Sequence, residues 1–223
     1  MDNTKVIKTV NNVIKELGKK ENKTNMNKLF MICIMILKSF PPRKNSNKFI
    51  YGFLGQIGII DCFNKIFISC IDLDDNDENV NGCEYKNDCK LKCFNNTKLK
   101  LSIKVKKSHK TSNIILINKN NCGSHDLTNL ITIVLVIEEK KLYIIPHNII
   151  PNKYLNNMPS KIEYKISILT YMKKDHNNLI YTLDESDKFN IFMKKHYHSL
   201  KEVNIYKKIY KDILLKFNNL DLT

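Results

Sequence analysis

Between residues 98 and 107 apolar and polar positions alternate without a break, Leu99, Leu101, Ile103 and Val105 against Lys98, Lys100, Ser102, Lys104 and Lys106. A period of two is that of a strand, so the first set faces a core and the second faces the other way. Further strands are predicted at about 88–94, 113–117 and 142–145 and along Ile162, Tyr164, Ile166 and Ile168. The stretch from Leu130 to Ile137 is continuously apolar and rich in β-branched residues, which predicts a strand buried on both faces. Val6, Ile7, Val10, Val13, Ile14 and Leu17 recur at helical spacing between the cap candidates Asp2, Asn3 and Thr4 and the stop Gly18, predicting an amphipathic helix over 2–18. Polar residues Lys19 to Asn25 read as a linker, and a second helix over about 26–39 ends at Pro41-Pro42. An apolar segment at about 47–68 carries Gly52, Gly55 and Gly58, small residues that let a helix sit close to a sheet. After Asp184 helical spacing returns through Phe189, Ile191, Phe192, Ile205, Ile209, Leu214 and Phe217.

Helices, then strands, then helices predict an α/β protein with a central mixed sheet flanked by helices. The corresponding divisions are N-terminal helices over 1–46, an α/β core over 47–170 and a helical extension over 171–223. No internal repeat is present.

The chain has 223 residues and a formal net charge of +15. That favours a polyanionic partner, nucleic acid first and an anionic membrane surface second. Arg43 is the only arginine, Asn and Ile are abundant and Trp is absent, a bias typical of A+T-rich coding in large DNA viruses, protists and some small bacterial genomes. Part of the lysine excess is therefore ascribed to base composition. Seven cysteines at irregular spacing and no signal peptide predict reduced thiols and an intracellular protein. Leu29 to Leu37, bounded by Lys28 and Lys38, is too short to cross a bilayer as a helix, so no membrane span is expected.

Ile103-Lys104-Val105-Lys106-Lys107-Ser108 resembles the motif strand of PD-(D/E)XK nucleases, in which an acidic residue or Gln, one apolar residue and a Lys precede a small polar run. Gly55-Gln56 resembles the Gly-Glu of that family's first helix, and the segment from Asp126 to Pro146 resembles its buried strand, turn and strand ending in Pro. The resemblance covers about 47–151. It implies a restriction-endonuclease-like core, nucleic acid as partner with DNA ahead of RNA, and, in an active member, Mg²⁺. Asp88 would then be the metal ligand, Lys106 the cation orienting the attacking water and Gln56 a helper. Lys98, Lys100, Ser102, Lys104, Lys107 and Lys110 would contact the phosphate backbone.

One departure decides the functional expectation. From Cys89 to His125 there is no Asp or Glu; with Lys104-Val105-Lys106 as the matching triplet Lys104 stands where the second carboxylate belongs, and with Ser102-Ile103-Lys104 it is Ser102. At an effective dielectric near 20 and about 5 Å, a lysine opposes a divalent ion by roughly 6 to 7 kcal/mol before relaxation. Nucleic-acid binding with impaired catalysis is the expected function, Mg²⁺ applying only if Asp61, Glu84 or Asp126 supplies a migrated ligand. The alternatives are an amphipathic edge strand whose lysines merely stay wet, in a non-enzymatic interaction protein, or an active nuclease with that migrated carboxylate.

The remaining motifs add little. Cys83, Cys89, Cys93, Cys122 and His125 lack the paired knuckles of a zinc site. Asp72, Asp74, Asp75, Asp77 and Glu78 read as a solvated loop, and His109, His196 and His198 as surface residues. Nothing in the sequence indicates an oligomeric state.

Overall fold

The computed structural model describes residues 3–24, 26–28, 31, 55–56, 58–60, 63–64, 66–67, 69–72, 89–92, 98–106, 108, 113–118, 127, 130–183, 186, 191, 195, 204, 207–208 and 211. Helix α1 spans Asn3–Leu17. Val6, Val10, Val13 and Leu17, spaced three or four apart, form its buried stripe, as the periodicity predicts. The helix closes at Gly18, whose N–H donates to the Ile14 carbonyl at 3.0 Å. The polar stretch that follows is not a linker: residues 20–24 are helical. The Glu16 carbonyl, left over at the end of α1, accepts from Asn22 Nδ2 at 2.8 Å, and this side-chain bond joins the two turns.

The strands are β1 (Ser69–Asp72), β2 (Cys89–Lys92), β3 (Lys98–Lys106), β4 (Ile114–Asn118), β5 (Leu130–Val136), β6 (Lys141–Pro146), β7 (Leu155–Asn157), β8 (Lys161–Tyr164) and β9 (Ile180–Thr182). Six form one sheet in the order β1-β2-β3-β5-β6-β9, and three form a second in the order β4-β8-β7. Among the described residues only the β3–β5 pair is parallel and the other pairs are antiparallel. The protein is thus α/β with a mixed sheet. All seven residues of β5 are buried.

Asp72, read from sequence as loop, belongs to β1, where it pairs with Cys89. The other acidic positions of that stretch lie outside the described residues. The alternation through Ile166 and Ile168 does not extend strand β8. The Ile166 N–H donates to Asn113 Oδ1 at 2.9 Å, outside any ladder, and Ile168 opens helix α2 (Ile168–Asp175). Strands β7 and β9 have three residues each, too few for a period to register.

The cross-strand register defines two faces of the large sheet. On one, Leu101, Ile131, Ile133 and Ile144 meet Val10 and Val13 of α1 and Phe63 around an apolar void of about 10 Å³, at the lower limit for one water. On the other, the Tyr143 hydroxyl donates to Glu139 Oε2, and Lys173 of α2 pairs with the same oxygen at 2.9 Å. Burial and the donated bond together push the Tyr143 pKa far above its usual value. Both sheets share one continuous core. Among the described residues no helix is long and apolar enough to cross a membrane.

Candidate nucleic-acid interface

Strand β3 is central. It pairs with β2 through Lys98–Leu101 and with β5 through Lys100–Lys106, so the edge-strand alternative is set aside. The expected alternation holds, but the polar set does not face water as a whole. Lys100 is exposed, Lys104 partly exposed, Lys106 only 7% exposed and Ser102 fully buried. The register explains this: Ser102, Lys104 and Lys106 lie beside Thr132, Val134 and Val136, which are themselves buried. Ser102 is therefore corrected from a phosphate contact to an interior residue. Burial pushes the Lys106 pKa down, since desolvation disfavours the ammonium. Lys98 belongs to β3, but its side chain, together with Lys107, Lys110 and Asp88, lies outside the described residues.

Ser102 and Thr132 sit side by side across the β3–β5 ladder, and neither hydroxyl has a hydrogen-bond partner among the described residues. Two unsatisfied hydroxyls in an interior are destabilising relative to apolar isosteres. The pair Ser102→Ala with Thr132→Val is expected to leave stability unchanged or raise it by up to about 1 kcal/mol. Urea unfolding measures this, and a loss beyond about 1.5 kcal/mol means the hydroxyls are bonded in the folded protein.

Gly55 stands directly against β3. A Cβ built on it would lie 2.2 Å from Val105 Cγ2, so only glycine lets this helical segment reach the strand. Val105 belongs to the face opposite Lys104 and Lys106, by strand alternation. Gln56, next in sequence, is buried. The structure thus brings Gly55-Gln56 to the end of β3 that carries Lys106.

Strand β3 has no carboxylate, and no group of three or more His, Cys, Asp or Glu side chains converges among the described residues. A row of ammonium groups beside buried aliphatics and hydroxyls is the wrong donor set for Mg²⁺, which needs oxygen ligands in octahedral array. What is described of this strand does not fit the ion. Its accessible chemistry is that of point charges for phosphate.

The sequence reading overlooked a second basic surface. Lys5, Lys8, Lys15 and Lys19 are exposed on α1 and the turn after it, at spacings of three, seven and four residues that place them on one side of the helix. Glu16 is the acidic residue on this side, paired with Lys19 at 2.6 Å. The same helical period that revealed the apolar stripe contains this one. No family model, curated protein or solved structure matches the chain.

Proposed function

We propose that this protein binds nucleic acid on an α/β scaffold of nuclease-like type, with catalysis impaired. The observation that carries the reading is the placement of β3. Lys100, exposed, and Lys104, partly exposed, lie on one face of a strand in the middle of a mixed sheet, in strand order with β2, which begins directly after Asp88, and with the Gly55 segment packed on its end. Consecutive strands and a helix against them are what the nuclease resemblance requires. The lysine at position 104 and the absence of acid on β3 support binding without metal-dependent cleavage. DNA is favoured over RNA as the partner, following the same resemblance.

The test is binding of labelled duplex DNA and duplex RNA across a salt titration, with Mg²⁺ added in a parallel nuclease assay. Replacing Lys100 and Lys104 by Ala is expected to weaken binding and to flatten the dependence of log K on log salt by up to about two contacts. Little or no cleavage accompanies binding. Equal affinity and equal slope in variant and parent remove β3 from the interface. That result favours the second reading, a non-enzymatic interaction protein whose basicity follows base composition, which the burial of Ser102 and Lys106 supports.

A further inference from the structure

Three partly exposed rings form a cluster that nothing in the sequence pattern marks. Tyr154, just ahead of β7, stacks on Tyr171 of α2 with centroids 4.6 Å apart and planes inclined by 28°. His176, at the end of α2, meets Tyr171 edge-on at 5.1 Å, and its Nε2 lies 2.8 Å from the Tyr171 hydroxyl. Lys153 Nζ lies over the Tyr154 ring, 5.2 Å from its centroid. Since Tyr171 covers one face of Tyr154, a further stacking partner would use the other, outer one. By contrast, Tyr143 and Tyr164 are fully buried.

A stack of this kind can simply tie a helix to a strand. Two features go further. Besides Tyr171, the Tyr154 ring is met by a flexible, exposed cation that can swing aside. The surface beyond the stack also continues into the basic side of α1. Asn178, two residues past His176, donates to Asn11 Oδ1 at 3.1 Å, and Lys8 and Lys15 are exposed one turn to either side of Asn11. The apolar stripe of α1 is spent in the core, so these lysines do not belong to a helix that lies in a lipid surface, which needs a free apolar face.

An aromatic ring flanked by lysines accepts an unpaired base, because each base has a π-face and every linkage carries a phosphate. In a duplex those faces are already stacked on one another. We propose that the protein holds single-stranded nucleic acid here, one base on the outer face of Tyr154 and the backbone running past Lys153 toward Lys8 and Lys15. The inference rests on the nucleic-acid reading above and adds a strand class and a second site to it.

The experiment uses the full chain with a labelled single-stranded thymidine 12-mer, a duplex of equal length and phosphatidylserine vesicles. Tyr154→Leu, which keeps apolar bulk, is expected to weaken the single strand about tenfold or more and to change duplex binding less than twofold. Tyr154→Phe keeps parental affinity. Lys153→Ala, at an exposed position that folding tolerates, lowers the single-strand salt slope by about 0.7. Should Tyr154→Leu and Lys153→Ala both bind the 12-mer with the parental affinity and slope, or should both ligands weaken equally, the platform is overturned while the nucleic-acid reading stands. A parent that binds vesicles but neither oligonucleotide overturns both.

Discussion

Replacing Gly55 by Val is expected to destabilise the protein by about 3 kcal/mol, and shortening Val105 to Ala in the same chain is expected to recover most of that loss. A Cβ at residue 55 would meet three atoms of Val105, Cγ2 at 2.2 Å, Cβ at 3.3 Å and Cγ1 at 3.4 Å. Rotation of the valine gives only limited relief, because one rotamer exchanges the methyls and the other, which presents Hβ, still leaves the branching carbon 3.3 Å from the new Cβ. The backbone beneath cannot yield either, since Val105 is paired to Leu135 in the parallel ladder. Ala at residue 55 should cost less than Val, because a better helix former returns up to about 1 kcal/mol and Val105, only partly buried, can tilt outward. Urea unfolding of Gly55→Ala, Gly55→Val and Gly55→Val with Val105→Ala measures the coupling. A Gly55→Val variant as stable as the parent would falsify the close approach.

Glu163 is the site of the second large effect. Its carboxylate is covered, yet by a thin layer of polar side chains rather than deep in the core. Lys161 Nζ pairs with Oε2 at 2.8 Å, and Oε1 accepts from Asn113 Nδ2 at 2.7 Å and from Asn156 Nδ2 at 3.3 Å. The Lys161 bond is the main cause that holds the Glu163 pKa below its ordinary value near 4.5, with the two amides assisting and burial opposing. Glu163→Ala strands both amides and the ammonium and is expected to cost about 2 to 3 kcal/mol, the figure tempered because Lys161 remains partly solvated. Glu163→Gln keeps an acceptor for the amides and should cost about 1 kcal/mol.

The same site makes stability depend on pH. A carboxyl group with a lowered folded pKa contributes fully above its unfolded pKa, and the contribution fades as pH falls through the folded value. The stability gap between parent and Glu163→Gln is therefore expected to be widest from about pH 5.5 upward and to close as the solution is acidified below the ordinary carboxylate range. Parallel denaturation curves from pH 7 down to pH 3 follow it. A gap that stays constant over that range would mean that the charge on Glu163 contributes nothing to folding. Because Asn113 also accepts the Ile166 N–H, loss of Glu163 should loosen the turn from β8 into α2, and with it the seat of Tyr171.

The features legible in the chain itself are those with a local period. Helix α1, the wholly buried β5 and the alternation along β3 each follow from which residues recur at three to four, at one or at two, since backbone geometry alone assigns such residues to faces. The helix-strand-helix order likewise made an α/β mixed sheet readable, and the parallel β3–β5 pair is the one that needs a crossover. Tertiary structure decided what covers each face. Ser102 and Lys106 carry a surface pattern but are interior, because β5 lies beside them and the layer that buries Val134 and Val136 covers them too. The turns at 20–24 were unreadable because polar bonds, such as Asn22 Nδ2 on the Glu16 carbonyl and Thr24 Oγ1 on the Lys20 carbonyl, support them without an apolar stripe. Glu163 finds Asn113 fifty positions away, and Tyr154 finds Tyr171 only when β7 and α2 are packed together. Contacts at such separations leave no period in the sequence, because the chain between them sets only how far apart two residues can be, and packing of the core determines which of them meet.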